Sequence, residues 1–583
     1  MLAKLPSWYR STFGPALLGA LALWAALPPL ELGPLAWIAP VAWVILIRRK
    51  QLAGRRPYRT LWLVGFLFWM AVLHFLRLPH WATSFGWVAL SFYLAFYLPV
   101  FVGLSRVAVH RLRVPAMVAA PVVWTGLELA RGHLLTGLTM ASLGHTQYRW
   151  IGLIQISDLA GAYGVSFLVM LVAACLATML PRDDRPSSPL KTGATAGLSS
   201  SVSHKRRQNT AGQASSGTQS SGNGLFQRVA RQFWPLLPAL IALGLTLIYG
   251  HVRTSGDYGG ATARVALIQG SIDSELKADP NRRTEIFQQY FELSKQAVRD
   301  YPNLDLAIWP ETMFRDPLVT FDQNARPPEQ SNWSPDEFRE SLDLAAQQSR
   351  RNLGRTAEAL GVSLILGVDT ANYTAAGPEY FNSAVLVSAD GRLLGRYDKI
   401  HLVLFGEYVP FARRFPWLYR FTPLSVGLTP GRDPTALDTA GLMFAPNICY
   451  ESVLPHVIRR QVNELARRQQ DPDVLVNLTN DGWFWGSSEL DLHLICGVFR
   501  AVECRKPLLI AANTGFSAWI DADGRIRARG PRRQTGTILA EVQADRRTSW
   551  YLYHGDWPAG ICLAACLLLA AAGCWHGIRR TRA

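Results

Sequence analysis

Two fold classes share this chain. The sequence predicts a polytopic α-helical membrane part of about eight transmembrane helices, together with an α/β domain whose sheet is largely buried. Three observations predict it. Of the 583 residues 49% are hydrophobic, although the net charge is +17. Long apolar runs are separated by clusters of arginine. A long stretch of the second half alternates short β-rich segments with helical ones. A bilayer takes the apolar runs, and the cations stay in loops beside the cytoplasmic leaflet. A nucleic-acid binder of this charge would gather its Lys and Arg on one folded patch. Here they lie between apolar stretches, so no nucleic-acid partner is expected.

The apolar stretches run over 13–29, 32–47, 60–78, 85–105, 114–130, 151–180, 233–250 and 557–575. The first is followed at once by further spans and shows no small-residue cleavage site, which argues against a removed signal peptide. Basic residues set the orientation. Lys4 and Arg10 precede the first stretch, "RRKQLAGRRPYR" (48–59) follows the second, and "RVAVHRLR" (106–113) follows the fourth. Residues 181–232 carry eight Lys/Arg against two acids, and the chain ends "HGIRRTRA". The alternate loops "PPLELGP" and "LPHWATSFG" have no Lys or Arg. The positive-inside rule then places both termini in the cytoplasm and 251–556 outside, in the periplasm of a bacterium with two membranes. Five regions are expected: helices one to six in 1–185, a disordered cytoplasmic insert at 186–224, helix seven in 225–250, the outer domain in 251–556, and helix eight with a basic tail in 557–583. The insert is rich in Ser, Gly, Thr and Gln. It holds too few large apolar residues to offset the entropy of ordering.

Within 251–556, "ARVALIQGSI" (263–272), "LDLAIWPE" (304–311), "VSLILGVDT" (362–370), "NSAVLVSA" (382–389), "LMFAPNICYE" (442–451), "DVLVNLTN" (473–480) and "LLIAANTG" (508–515) read as strands. Helices are expected at 282–300, 336–360, 452–470 and 489–506. This alternation is that of an α/β domain with a buried sheet, in which chemistry gathers where strands end. Of seven cysteines, Cys175, Cys562, Cys566 and Cys574 lie in apolar runs and Cys449, Cys496 and Cys504 in the outer segment. No CxxC pair or other ligand cluster is spaced for a metal, so neither metal nor organic cofactor is expected.

Three polar residues stand at strand ends or in the loops that follow: Glu311 closing "AIWPE", Lys399 in "RYDKIHLVLFGEYVPF" and Cys449 closing "APNIC". Each alone is weak. With "WPET", "DKIHLVLFGEYVPF", "NICYE", "NLTNDGWF" and "NTGFSAWIDADG", the segment resembles the nitrilase superfamily and, more narrowly, the apolipoprotein N-acyltransferase family. The membrane half fits the same resemblance through "WTGLELARG" (124–132), "LTG" (135–137) and "QISDLAGAYGVSFL" (155–168), where Glu128 and Arg131 are spaced to pair across one helical turn.

The resemblance implies an αββα sandwich with Glu311 as general base, Lys399 stabilising the oxyanion and Cys449 as nucleophile. It further implies Glu407 as a second carboxylate beside the triad, Tyr450 and Glu451 as supports of the nucleophile, and Trp483 and His493 as substrate contacts. The implied reaction takes an acyl group from a phospholipid onto Cys449 as a thioester, then passes it to the terminal amine of a diacylglyceryl-modified apolipoprotein. Water in place of the amine would make the protein a membrane-tethered amidase or nitrilase. A non-catalytic scaffold on the same fold is the third reading.

The chemistry is consistent with these roles. A free thiol is only a few per cent thiolate at neutral pH and needs a base. Drawing a chain of about sixteen carbons into water costs on the order of 10 kcal/mol, a reason to hold such catalysis at a bilayer. The aromatic, arginine-bearing loop 408–427 suits headgroup depth. Two positions depart from the family pattern, Leu492 where Gln commonly precedes the His and Ile510 where Arg is often found before "NTG". Both are expected to shape the substrate pocket.

Overall fold

The computed structural model describes residues 10–180, 233–256, 259–273, 276–277, 279–328, 331–412, 414–421 and 427–582. The insert expected at 186–224, Lys4, and positions 413 and 422–426 of the aromatic loop lie outside them.

Helices occupy each of the eight apolar stretches: Phe13–Ala26 (α1), Ala39–Arg48 (α2), Pro57–Val72 (α3), Thr83–Leu94 and Tyr97–His110 (α4, α5), Ala116–His133 (α6), Ser157–Met179 (α7), Leu237–Thr254 (α8) and, at the end of the chain, Trp557–Arg582. Four segments among the described residues are long and apolar enough to cross a membrane: Thr83–His110, Ser157–Met179, Trp234–Thr254 and Trp557–Trp575. α1 and Gly33–Arg48 are apolar but shorter.

The basic ends of these helices bind one another. Arg106 donates to the main-chain oxygens of Leu46 (3.1 Å) and Lys50 (3.0 Å), and Arg48 to that of Leu180 (3.0 Å). Arg111 reaches the carbonyl of Gly573 at 3.2 Å. Arginines thus satisfy carbonyls that helix C-termini leave without partners, at the end where the helix dipole favours cations.

The other end of the bundle meets the α/β domain. α7 breaks at Ala160–Gly161, where Gly161 has φ 64° and a Cβ would fall 2.8 Å from the Tyr551 ring. The break frees the Ala162 N–H to donate to Glu503 Oε1 at 2.8 Å. One turn earlier, buried Asp158 accepts from Arg505 (2.6 Å), Arg253 (2.8 Å) and Tyr249 (2.7 Å). Arg505 is itself fully buried, so removing the carboxylate strands its charge. Asp158→Ala is expected to destabilise the full chain by about 3–5 kcal/mol, read as a lowered thermal midpoint in detergent. An unchanged midpoint would contradict this account of the junction.

The α/β domain is the expected αββα sandwich. Its first sheet runs β13-β1-β2-β4-β5-β6, with β3 on β4; its second runs β12-β11-β10-β9-β8-β7. The strands are Gly259–Gln269 (β1), Leu306–Ile308 (β2), Phe314–Phe321 (β3), Ser363–Thr374 (β4), Gly377–Val387 (β5), Leu393–Asp398 (β6), Leu437–Thr439 (β7), Leu442–Ile448 (β8), Val474–Thr479 (β9), Leu508–Ala512 (β10), Ala518–Ile520 (β11), Ile526–Arg529 (β12) and Gly536–Asp545 (β13).

Side chains alternate between two buried layers, as the two-residue strand period requires. Ile365, Phe444, Ile448, Val476, Leu478 and Leu509 fill the space between the sheets. Leu364, Leu366 and Val368 turn outward beneath Arg283–Asp300 (α9) and Pro335–Leu360 (α10). On the far side Ala445, Leu475, Leu508 and Ile510 join a cluster with Pro455–Arg467 (α11) and Glu489–Cys504 (α12), and this cluster continues into the membrane helices. Every residue of α12 is buried, because the helix has a sheet on one side and the bundle on the other.

Ile510 lies in this layer, packed toward α12 at Gly497. The expectation that Ile510 shapes a substrate pocket is corrected: it fills core. Leu492 differs, clustering with Trp69, Phe75 and Val453 where bundle and domain meet.

Candidate active site

Glu311 follows β2 by three residues. It reaches its place because β4 lets its backbone approach: a Cβ at Gly367 would lie 2.7 Å from Glu311 Cα. The carboxylate is 7% exposed and accepts from Asn382 Nδ2 (2.6 Å) and the Asn480 N–H (2.9 Å). Lys399, just past β6, is 1% exposed, and its Nζ lies 2.7 Å from Glu407 Oε1 and 3.7 Å from Glu311 Oε1. Glu407 is held in turn by the Val403 N–H at 2.8 Å. A buried ammonium between two carboxylates is compensated without a third charge. Burial alone would depress the Lys399 pKa, but Glu407, the Cys449 sulfur and Glu311 together push it upward, so the side chain stays charged.

Cys449 ends β8 in the left-handed region, at φ 52°. A non-glycine residue there stores strain, a mark of positions held for a purpose. Its carbonyl is held by Asn477 Nδ2 (3.0 Å), His493 Nε2 (3.2 Å) and Ser452 Oγ (3.2 Å). Burial first, then the Glu311 charge, push the thiol pKa well up, while Lys399 opposes them. Burial likewise raises Glu311, against the pull of Lys399. A thiol raised this far supplies little free thiolate at neutral pH, so its attack requires transfer of the proton to a neighbouring base.

The left-handed turn sends the following residues away from the sulfur. Glu451 is buried and accepts from the Tyr397 hydroxyl (2.8 Å) and the N–H groups of Ile400 (2.8 Å), His401 (2.9 Å) and Ile448 (2.7 Å). It therefore clamps the loop after Lys399 to the nucleophile turn. The Tyr450 hydroxyl donates to the carbonyl of Gly137 in the bundle at 2.7 Å. Trp483 is 38% exposed on the turn Asp481–Phe484, on the open side of the site.

His493 departs from the substrate contact expected of it. It is buried on α12, with Nε2 2.8 Å from Ser452 Oγ and Nδ1 3.1 Å from Asp481 Oδ1, behind the nucleophile turn. Burial would lower its pKa, but Asp481 raises it.

Glu128 and Arg131 do not take each other as the expected pair. Glu128 accepts from Trp124 and Leu143, whereas Arg131 donates to Ser142.

Sequence reasoning missed several groups. Asn382, Asn477 and Asn480 carry no chemical signature in the chain and matter only through strand register. Lys277 donates to Thr312 and lies 3.5 Å from the Glu311 carbonyl; its burial lowers it to about 8. The trio Asp481, Glu489 and His493 was also missed. Its ligand atoms lie within 4.8 Å of one another, an arrangement that could hold a metal ion, contrary to the expectation that no ligand cluster exists. A cation there would have to replace the hydrogen bond between Asp481 and His493.

Residues 264–551 match the carbon-nitrogen hydrolase family, so the sandwich is a domain of that class. Residues 19–175 match the apolipoprotein N-acyltransferase N-terminal domain. An apolipoprotein N-acyltransferase of Rhodopirellula baltica is 32% identical, covering 94% of this chain and 94% of that protein. That of Geobacter metallireducens is also 32% identical, over 96% and 95%. Among solved structures, yeast Nit3 of the nitrilase superfamily is 17% identical over 52% of this chain and 97% of its own, with a TM-score of 0.35. The chain belongs to the apolipoprotein N-acyltransferase family.

Proposed function

We propose that the protein N-acylates the S-diacylglyceryl cysteine at the N-terminus of apolipoproteins, through a thioester on Cys449. The observation that carries this reading is the buried Glu311–Lys399–Glu407 group beside a strained cysteine whose thiol feels both Glu311 and Lys399. In the first half-reaction Glu311 accepts the thiol proton as sulfur attacks the ester carbonyl of a phospholipid. Lys399 stabilises the oxyanion, and its own charge is held by Glu407. Collapse of the intermediate breaks the ester bond, and the proton on Glu311 goes to the departing alkoxide, giving lysophospholipid. In the second half-reaction the apolipoprotein's amine attacks the thioester, an amide forms, and the thiolate recovers a proton. Glu451 and Tyr450 hold the nucleophile turn to the Lys399 loop and to the bundle. Trp483 is placed to meet lipid.

The same reading makes the helices a bundle of about eight spans with 251–556 on the periplasmic side of a bacterial inner membrane. It is supported by the clustering of arginines 48, 106 and 111 at one end of the bundle, opposite the end that docks the sandwich. Cations gathered at one end fit a cytoplasmic face.

Incubating the protein with a phospholipid carrying a labelled chain and a diacylglyceryl-cysteinyl peptide tests the reaction. Labelled amide and lysophospholipid are expected. Labelled free fatty acid at the same rate with and without peptide would instead indicate a hydrolase.

The pH dependence gives a second test. The base must be ionised, so the acid limb of Cys449 acylation is expected above the ordinary carboxylate range, because burial raises Glu311. Glu407 raises Glu311 further, so Glu407→Gln should move that limb to lower pH even as the rate falls. A limb that stays in place in single-turnover measurements would contradict the assignment of Glu311 as base.

A further inference from the structure

A cavity enclosing about 590 Å³ of empty space lies inside the helical bundle, among α1, α2, α3, α5 and α6. Its wall is apolar and aromatic, with Leu23, Trp43, Trp69, Tyr97, Trp124 and Leu127 prominent. Two ionisable side chains also face it, Glu128 at 5% exposure and Arg131 at 4%. Both are anchored at one atom and open at another. Glu128 Oε1 accepts from Trp124 Nε1 (2.9 Å) and the Leu143 N–H (2.8 Å). Arg131 Nη2 donates to Ser142 Oγ at 2.8 Å, and its guanidinium lies 5.0 Å over the Trp69 ring. Glu128 Oε2 and Arg131 Nε are buried with no hydrogen-bond partner among the described residues. Orphaned polar atoms are rare in protein interiors and ask for a partner.

The cavity is joined to the reactive cysteine. Ala141 lines it, and the same segment touches the nucleophile turn: Gly137 O accepts from Tyr450, and the Thr139 hydroxyl donates to Val453 O. Trp69, Met140, Ala141, Val453, Leu492 and Tyr450 belong to one continuous apolar cluster. Hydrocarbon can therefore pass from the surroundings of Cys449 into the bundle without meeting water.

We propose that this cavity holds one hydrocarbon tail of an ester-linked lipid, with Arg131 Nε–H donating to that tail's ester carbonyl. The wall takes the methylenes. The carboxylate one turn away from Arg131 offsets its charge, which suits a neutral carbonyl acceptor better than a free fatty acid or a phosphate. That the lipid is a substrate rests on the function proposed above. Two substrates carry this chemistry, the phospholipid donor and the diacylglyceryl group of the acceptor.

The test uses the full-length Cys449→Ala protein and a phosphatidylethanolamine with a diazirine at the end of one hexadecanoyl chain. Light is expected to label peptides of α1 and α6. Labelling should drop about tenfold when Ala20→Phe, on the cavity wall, displaces roughly two methylenes. Labels confined to outward-facing residues, or insensitive to Ala20→Phe, would overturn the proposal. Because no thioester is needed, this outcome is separate from failure of the wild type to acylate Cys449.

The source of the tail is read in the otherwise wild-type enzyme by replacing the non-transferred ester with an ether. A tenfold loss, on the order of one hydrogen bond, is expected in thioester formation if the donor occupies the cavity and in transfer from preformed thioester if the acceptor does. Arg131→Met should be indifferent to that replacement in the sensitive step. Equal rates for ester and ether in both steps of the wild type would overturn the role of Arg131.

Discussion

Replacing Cys449 with serine or alanine is expected to end acyl transfer, with a loss on the order of 10⁴-fold or more in turnover. The size follows from the site. Lys399 is paired and buried in the resting protein, and Glu311 is fastened by two hydrogen bonds that do not involve the cysteine. Removing sulfur therefore leaves the rest of the machinery in place with nothing for it to activate. Serine has the same shape but a far less acidic proton, so Glu311 cannot generate an effective nucleophile from it. Folding should be little affected, because the turn is held through the Cys449 carbonyl rather than its side chain. The check is single-turnover acylation beside a melting curve. An active serine or alanine variant would place the reacting atom elsewhere.

Glu311→Gln is expected to slow acyl-enzyme formation by about 10²–10⁴-fold while leaving lipid affinity near its original value. The amide oxygen can still accept from the Asn480 N–H, so shape is largely kept and the ability to take a proton is lost. The substitution also removes one of the two charges beside Lys399, leaving Glu407 at 2.7 Å as its sole close carboxylate. A variant with lowered lipid affinity and an unchanged rate of acylation would mean that Glu311 binds substrate and another group takes the proton.

Much of this arrangement was legible in the chain. β1, β2, β4, β5, β8, β9 and β10 were read because each is a short apolar run closed by a polar or turn residue, the mark of a buried strand. β3 escaped: "FRDPLVTF" carries Asp316 and Pro317, which suit a sheet margin and not a core. β6, β12 and β13 escaped because exposed and charged residues interrupt their pattern.

In the site, Glu311, Lys399, Glu407 and Cys449 carry their chemistry in their residue types, and the fold places the first three in one ion-pair group next to the fourth. The amides of Asn382, Asn477 and Asn480 could not be read, since their roles arise only from pairing between strands distant in sequence. Simple alternation put residues 449 and 451 on one face. The positive φ of Cys449 breaks that pattern and turns Glu451 into a clamp.

The central claim is that a fatty acyl group is carried covalently on one sulfur. Intact-mass analysis of the full-length protein after incubation with a phospholipid of defined chain tests it most directly. A mass increase equal to one acyl group, removed by hydroxylamine and absent from Cys449→Ala, is the expected result. Transfer of acyl groups to peptide without such an adduct, or an adduct that persists in Cys449→Ala, would contradict it.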